Sequence, residues 1–251
     1  MFEFKLILKA IIKPHKIIKE IAKLKESLDL SIIDVVKYSI RLFISVRFFY
    51  YISKMIKTAK EVCKDPRLGG WIDFPNCFII YLIIRHIRPD VVIETGVGPG
   101  GSSAFILKAL NDNKKGILYS IDLPGNDAIV YPKIGKNFNI HVPNGWEVGW
   151  LIPPWLKNRH FLIIGDSRKE LVKLLNRLNK KVDVFLHDSL HTDEHILMEF
   201  TTVFPAMSSK GVLLCDDVVD YWSLAFIKFC KDKGISFKIF NNRLGVAVLN
   251  K

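Results

Sequence analysis

One segment constrains this chain more than any other, because it joins a β-branched apolar run to a cluster of glycines. It reads VVIETGVGPGGSS from Val91 to Ser103, and a helical pattern of apolar residues follows from Ala104. Strand, tight turn and helix in this order open a nucleotide-binding half of an α/β sheet. Glycine is needed where a turn takes unusual dihedral angles and the backbone approaches a ligand. A turn that binds nothing is disfavoured, since six glycines and serines occupy eight consecutive positions.

The glycine spacing fits two classes of cofactor. Gly96, Gly98 and Gly101 have the spacing of dinucleotide-binding turns, whereas Gly96, Gly98 and Gly100 have that of S-adenosylmethionine (SAM) methyltransferases. Glu94 favours the second class, because a carboxylate beside the turn repels a pyrophosphate but tolerates the cationic sulfonium and amino groups of SAM. The predicted cofactor contacts of this segment are Glu94, Gly96, Gly98, Gly100 and Ser102.

Strand and helix patterns alternate beyond the glycine segment. Later strands are predicted at 116–122, 161–165, 182–187 and 211–215, with helices at 76–86, 169–179, 192–207 and 219–231 and a closing hairpin at 235–240 and 245–249. Such alternation implies a mostly parallel sheet covered on both faces. The predicted fold class is α/β, with a Rossmann-like, mostly parallel seven-stranded sheet, a C-terminal antiparallel hairpin and an α-helical N-terminal appendage.

The predicted appendage, residues 1–65, is basic and amphipathic. It carries 14 Lys and Arg against 7 Asp and Glu, in a chain whose net charge is +12. Apolar residues recur at helical spacing, Pro14 divides the first pattern into two helices, and a longer aromatic helix is predicted at 34–60. Three interpretations stay open: a helical cap or dimer contact, a helix on an anionic membrane surface, and, least favoured, a nucleic-acid contact.

Length and composition indicate one sizeable folded domain, at 66–251, beyond this appendage. The chain has 251 residues, 49% of them hydrophobic and 25% charged. Its four cysteines show no Cys-x-x-Cys spacing and no apolar leader is evident, so we expect a cytoplasmic protein with reduced thiols. An insertion at 124–159, rich in tryptophan and proline, is predicted to be a lid over a substrate pocket or a structural flap.

Acidic side chains follow the carboxyl ends of all five predicted parallel strands. They are Glu94, Asp122, Asp166, Asp188 and the pair Asp216 and Asp217. Ligands of open α/β sheets bind at this edge, and clustered carboxylates repel one another unless a cation is present. Two cations would account for them: SAM on one side and a divalent metal on the other.

Besides Glu94, three strand-end residues are assigned to the cofactor. Asp122 is predicted to accept hydrogen bonds from ribose hydroxyls, as an acidic residue does in dinucleotide folds. Asp166 is predicted to face the adenine amino group, or else to cap the helix that follows it. His187, the last residue of the fourth strand, is also placed among the cofactor contacts.

From about Gly69 onward the chain resembles class I SAM-dependent methyltransferases. The segments ETGVG, GWLIPPWL, HDSLHT and GVLLCDD are similar to a bacterial and archaeal group related to macrocin O-methyltransferase and cephalosporin-biosynthesis proteins. The last two segments also resemble magnesium-dependent catechol and caffeoyl-CoA O-methyltransferases. That resemblance implies metal ligands at Asp188, Asp216 and Asp217, the last standing where the group has Asn. His191 stands where the group has its catalytic lysine.

The chemistry of these residue types agrees with the resemblance. A hard divalent cation prefers carboxylate oxygens and acidifies a bound hydroxyl, and a nearby histidine takes the proton. Asp188 and His191 are therefore the predicted catalytic residues, with SAM and Mg²⁺ as cofactors. The alternatives are strand-end caps that bind no metal and a histidine that merely begins a helix.

The sequence thus predicts a SAM- and metal-dependent O-methyltransferase acting on a hydroxyl of a small molecule or glycan. Two rivals remain: an NAD-dependent oxidoreductase, and a non-catalytic membrane-associated or assembly protein of the same fold. Nucleic acid is disfavoured as a substrate. The Pro-Pro-Trp segment at 153–155 is similar to the Pro-Pro-aromatic motif of amino-methylating enzymes, but it lacks the leading Asn or Asp of that motif and precedes the third strand instead of following the fourth. Peripheral membrane attachment through 1–65 and homo-oligomerisation are further expectations.

Overall fold

The computed structural model describes residues 14–64, 68–69, 72–125, 142–219 and 223–250, and the side chains among them from residue 18 onward. The strands in these ranges are β1 (Val91–Thr95), β2 (Ile117–Asp122), β3 (His160–Ile164), β4 (Val182–His187), β5 (Met207–Cys215), β6 (Phe237–Phe240) and β7 (Leu244–Val248). They form one sheet in the order β3-β2-β1-β4-β5-β7-β6. The first five pair in parallel, and β7 runs antiparallel to both β5 and β6. The predicted fold class is confirmed.

The described helices are α1 (Pro14–Leu28), α2 (Ile32–Phe43), α3 (Val46–Val62), α4 (Phe74–Ile87), α5 (Gly101–Asn113), α6 (Ser167–Arg177), α7 (Asp193–Val203) and α8 (Ala225–Asp232), with short 3₁₀ turns at Pro154–Arg159 and Phe204–Ala206. These helices cover both faces of the sheet. Because successive strand residues point to opposite sides, Val92 packs with α1 to α5 on one face and Ile93 packs with α6 to α8 on the other. The sheet's central strands are therefore buried from both sides.

The N-terminal helices share the hydrophobic core of one sheet face. Leu24, Leu42 and Phe48 are buried in the same cluster as Val92. The Phe48 ring meets the Phe105 ring edge-on, with centroids 5.1 Å apart. These contacts favour the helical-cap interpretation for the described part of residues 1–65.

The predicted single helix at 34–60 is wrong, because the chain breaks between α2 and α3. The Ser45 hydroxyl donates to the carbonyl of Arg41 at 2.9 Å, four residues back, and this bond competes with continued helix. The restart turns Phe48 into the core. The helix predicted at 192–207 also ends early, at Val203, where a 3₁₀ turn containing Pro205 begins. The helix predicted at 219–231 begins only at Ala225.

Phe48 provides a test of this shared core. We expect Phe48→Ala to lower the free energy of unfolding by about 3–5 kcal/mol, the usual cost of removing a buried aromatic ring. Tyr50→Ala on the same helix is the control, because Tyr50 is 67% exposed and its loss should change stability by about 0.5 kcal/mol or less. Urea denaturation of both variants measures the difference. Equal effects would show that α3 is not part of the core.

Candidate active site

The glycine turn after β1 takes a backbone form that side chains resist. Gly96, Gly98 and Gly100 have φ angles of 80°, 50° and 91°, in the left-handed region. A Cβ on Gly96 would lie only 2.0 Å from the backbone oxygen of Asp188, which follows β4. The backbones at the ends of β1 and β4 therefore touch here, and position 96 has room only for glycine.

Glu94 lies beneath this turn and does not face outward. Its carboxylate accepts hydrogen bonds from the hydroxyls of Ser102 and Ser103 at 2.5 Å each and from Ser120 at 2.9 Å. Burial raises the pKa of Glu94 to about 7 despite these three bonds. The structure thus pairs the predicted cofactor contacts Glu94 and Ser102 with each other inside the protein. From there they fix the start of α5 to β1 and β2.

Asp122, at the end of β2, holds the glycine turn directly. Its Oδ2 accepts from the backbone N–H groups of Val97 at 2.9 Å and Gly98 at 2.7 Å, and its Oδ1 accepts from Leu123 N–H. A carboxylate has about four acceptor positions, so one is left for a further donor such as a ribose hydroxyl. The contact of Asp122 with a ribose remains a prediction.

Asp166 acts as the cap of α6, which is the alternative that the sequence left open. Its carboxylate accepts from the backbone N–H of Arg168 at 2.9 Å and forms an ion pair with the Arg168 guanidinium. The hydrogen bond from that side chain lowers the pKa of Asp166. A contact with adenine remains a prediction.

A buried carboxylate that the sequence analysis missed, Glu199 on α7, organises the end of β4. Its oxygens lie 2.6 Å from Thr95 Oγ1, 2.7 Å from His187 Nδ1, 3.0 Å from Ser189 Oγ and 2.9 Å from His195 Nε2. Burial alone would raise its pKa, but the two histidines outweigh burial and hold the pKa well below its usual range. Glu199 therefore remains a carboxylate inside the protein.

His187 belongs to this buried network. Its side chain is fully buried against Glu199, and its Nε2 is buried without a hydrogen-bond partner among the described residues. Its ring meets the ring of His191 edge-on at 5.5 Å. His187 thus lies beneath the surface, and its predicted contact with a cofactor remains a prediction. The His195 and Glu199 spacing of four residues was the available signal for the network.

The predicted acidic residues do converge at the ends of β4 and β5, around a cation supplied by the chain itself. Arg243, in the turn between β6 and β7, places Nη2 3.1 Å from Asp216 Oδ2 and Nε 2.5 Å from Asp217 Oδ1. His191 Nε2 lies 3.6 Å from Asp217 Oδ2 and 3.9 Å from Asp188 Oδ1. The sequence analysis missed Arg243, although it is the basic residue in the turn beside β5.

A divalent metal does not fit this arrangement. Three carboxylates are suitable ligands for Mg²⁺, but two of them are already bridged by the Arg243 guanidinium. Within the described ranges, no three His, Cys, Asp or Glu side chains are grouped so that they could hold a metal ion. Burial and the neighbouring carboxylates raise the pKa of Asp188, and Arg243 opposes this shift. Arg243 thus supplies positive charge where the sequence predicts magnesium.

The buried imidazole of His191 is held in its neutral form. Burial lowers its pKa well below the ordinary value of 6.5, and the charges of His187 and Arg243 act in the same direction. The imidazole is therefore neutral at pH 7, which is the form a general base needs. The oxygens of Asp217 and Asp188 lie 3.6 and 3.9 Å from His191 Nε2, so an imidazolium would form beside both carboxyl groups.

The predicted lid is described only in part, since residues 126–141 lie outside the described ranges. Its later portion packs on the glycine turn: Gly149 N–H donates to Gly98 O at 2.9 Å, and Leu151 N–H donates to Pro99 O at 2.8 Å. Trp150 is buried beside Trp146. The insertion thus borders the turn, and its role as lid or flap remains a prediction.

Comparisons with known proteins agree with this geometry. Residues 93–218, half of the chain, match the family described as "Methyltransferase domain". No curated protein matches the chain in sequence.

Several solved structures have a similar fold. One is the O-methyltransferase TomG from Streptomyces achromogenes, involved in tomaymycin synthesis and solved with SAM, with a TM-score of 0.55 and 15% identity over 80% of this chain and 90% of that one. An O-methyltransferase from Bacillus cereus, solved with SAH, gives 0.57 and 12% over 80% and 90%. The SAH-bound methyltransferase PaMTH1 from Podospora anserina gives 0.55 and 14% over 80% and 88%. At these identities the likeness shows a shared fold.

Glu199 predicts a specific pH dependence of stability. Its folded-state pKa lies below the ordinary value of 4.5, so its stabilising contribution is complete above pH 4.5 and is lost as the pH falls through the folded-state pKa. Glu199→Gln should therefore cost roughly 1–3 kcal/mol at pH 7 and flatten the loss of stability below pH 4.5. Glu194→Gln, exposed on the same helix, is the control. Thermal melts between pH 3 and 8 measure both; parallel curves for the two variants would contradict the assignment.

Proposed function

Because the chain belongs to the methyltransferase-domain family, we propose that it transfers the methyl group of SAM to a hydroxyl oxygen of a small molecule or glycan. One observation carries the proposal beyond the family: a neutral, buried His191 stands beside carboxylates at the sheet edge, next to the glycine turn. A hydroxyl needs a base when it attacks, and this histidine is placed to be one. The NAD oxidoreductase and the non-catalytic alternative are not favoured, since the family is one of methyltransferases.

The residues around the glycine turn fit SAM. The turn exposes no side chain at Gly96, Gly98 or Gly100, and Asp122 retains an acceptor position for a ribose hydroxyl. Two proteins of similar fold, from Streptomyces achromogenes and Bacillus cereus, are O-methyltransferases solved with SAM and SAH. SAM, when bound, supplies a methyl group on a cationic sulfur, which an oxygen attacks in line.

Residues of the chain itself accept the proton that the substrate hydroxyl loses. His191 Nε2 would accept the proton of the substrate hydroxyl, whose oxygen would take the methyl group that bound SAM would supply. The imidazolium would form beside Asp217 and Asp188, which lie 3.6 and 3.9 Å from Nε2, and its positive charge favours the ionised form of both carboxyl groups. Arg243 holds Asp216 and Asp217 in place because it bridges both, and its charge opposes the rise in their pKa values that burial causes.

Magnesium dependence, which the sequence predicts, is not part of this proposal. A divalent ion could use Asp216 and Asp217 only after both had released Arg243. The narrower resemblance to the macrocin and cephalosporin-biosynthesis group stays a prediction, as does the choice between a small molecule and a glycan.

Asp122 tests the cofactor. Asp122→Asn keeps the size of the side chain but removes its charge, so the affinity for SAM should fall about ten- to a hundredfold, the worth of a charge-assisted hydrogen bond. Asp232→Asn, exposed at the end of α8, is the control. Isothermal titration calorimetry measures both affinities; an unchanged affinity in Asp122→Asn would remove Asp122 from the cofactor site.

His191 tests the base. His191→Ala should lower the rate of methyl transfer by about 10²–10⁴ while SAM affinity stays unchanged, since general base catalysis is usually worth that much. The residual rate should rise with pH, because the substrate hydroxyl then ionises without help. Steady-state kinetics from pH 6 to 10 measure this on any accepted hydroxyl compound. A variant that turns over at the wild-type rate would exclude the base.

Arg243 tests the metal. Wild-type protein should retain methyl transfer in EDTA and bind no Mn²⁺ detectable by electron paramagnetic resonance. Arg243→Met should bind Mn²⁺, because three carboxylates are then left without their cation. Arg168→Met, which removes an exposed guanidinium that pairs with Asp166, is the control and should not. Loss of wild-type activity in EDTA together with Mn²⁺ binding would establish the metal site that the sequence predicts.

A further inference from the structure

Helix α2 carries an apolar stripe on the protein surface. The side chains of Ile33, Val36, Ile40 and Ile44 are 79%, 51%, 55% and 62% exposed, and their spacing of three and four residues places them on one side of the helix. Ile32 extends the same side, at 62% exposed, whereas the Phe43 ring packs against other phenylalanine rings. We call the side chains of Ile32, Ile33, Val36, Ile40 and Ile44 the α2 stripe. Five large apolar side chains side by side on one surface helix mark an interaction site.

The stripe is not the face that packs in the core. Val35 and Leu42 form that face, and they are 4% and 0% exposed. Helix α2 is therefore apolar on two sides, whereas a surface helix ordinarily has one apolar face and a polar one opposite. The inner side of α2 is buried in the core, whereas the α2 stripe on its outer side packs against no described residue that would bury it.

Helix α3, which begins at Val46 soon after α2 ends, has an exposed face that adds positive charge. Val46 and Tyr50 are 74% and 67% exposed, and Lys54 and Lys57 follow them at helical spacing on the exposed side. An apolar surface thus passes along one helix face into lysines. Such a lysine can lay its apolar stem along a lipid surface while its ammonium reaches a phosphate.

The charges around the stripe select the partner. Residues 32–62 hold six basic side chains against two acidic ones. A second copy of the chain in a two-fold dimer would bring the same basic groups together, which is unfavourable. Protein interfaces rely mainly on Trp, Tyr and Arg anchors, whereas the stripe is built largely from Ile and Val. An anionic bilayer satisfies both features, since it accepts aliphatic side chains and attracts basic ones.

We propose that the α2 stripe and the exposed face of α3 form a docking surface for an anionic lipid bilayer. The helices lie in the plane of the headgroups, with the stripe inserted among the acyl chains near the surface and Lys54 and Lys57 on lipid phosphates. Among the described helices, none combines the length and apolar character that a membrane span requires. The proposal does not depend on methyl transfer.

Flotation of the full chain with liposomes tests the surface. Wild-type protein should float with vesicles of phosphatidylcholine containing about a third phosphatidylserine, and not with phosphatidylcholine alone. Ile33→Asp with Ile40→Asp should weaken binding at least about tenfold, because two inserting side chains become charged. Val172→Asp with Leu224→Asp is the matched control: it places the same two charges on apolar positions that are 44% and 43% exposed, outside α2 and α3. It should bind like wild type.

A second pair of variants tests the charges. Lys54→Glu with Lys57→Glu should weaken binding to the anionic vesicles, by about fivefold for each basic residue lost, and raised salt should release the wild-type protein. Circular dichroism and thermal melting should be the same for all variants and wild type, since every substituted position is exposed.

Three outcomes would overturn the proposal. Wild-type binding by the Ile33 and Ile40 double variant would place any membrane contact elsewhere. A wild-type dimer that the same double variant converts to a monomer, measured by light scattering, would make the stripe a self-association surface. A large drop in melting temperature for the double variant would mean that the chain itself, for example residues 1–13, covers the stripe.

Discussion

The buried carboxylate of Glu199 links the ends of β1 and β4, the two strands that lead into the candidate site. Glu199 reaches the end of β1 through Thr95 and the end of β4 through His187, and it binds His195 on its own helix. The glycine turn begins immediately after the first of these strands, and the acidic cluster begins immediately after the second. Glu199 therefore ties the glycine turn to the segment of the proposed base, in addition to the backbone pairing of β1 with β4. Its charge survives burial because two histidines surround it.

Glu94 plays the corresponding part on the opposite face of the sheet by different chemistry. Three serine hydroxyls satisfy its oxygens, and no cation lies among the bonds that hold it. Burial raises the pKa of Glu94 to about 7 against the effect of these bonds, whereas the two histidines hold the pKa of Glu199 below its usual range. Glu94, held by serine hydroxyls on one face of the sheet, and Glu199, held by histidines on the other, together fix the strand from which the glycine turn begins. The backbone of the glycine turn is therefore in place before SAM, the positively charged methyl donor, binds.

The sequence allowed the sheet and the strand-end residues to be predicted, since both depend on local pattern. Parallel strands end at one edge, so Asp188, Asp216 and Asp217 had to approach one another. What the sequence could not reveal were the groups that come from elsewhere in the chain. Arg243 belongs to a turn 26 residues beyond Asp217, and only the antiparallel return of β7 beside β5 brings it there. The carboxylates suggested a cation, and pattern alone could not distinguish a metal ion from a guanidinium.

The orientation of side chains was equally hidden from local reasoning. Glu94 stands at the end of a strand that reads as a ligand-bearing edge, yet it turns inward to hydroxyls of α5 and β2. The break at Ser45 depends on a hydroxyl that bonds back to Arg41, a choice that helix propensity alone does not settle. Each case is decided by tertiary contacts formed after the local pattern is satisfied.

The C-terminal hairpin of β6 and β7 both completes the edge of the sheet and supplies Arg243 to the candidate site. The turn between β6 and β7 is the last turn of the described chain, and it carries the positive charge for carboxylates placed by β4 and β5. Until residues 237–248 have been synthesised and have paired with β5, those carboxylates have no guanidinium beside them, and their burial is opposed by mutual repulsion. The glycine turn, by contrast, needs only strands made earlier. On a ribosome, the cofactor half of the site can therefore form before the half that handles the proton.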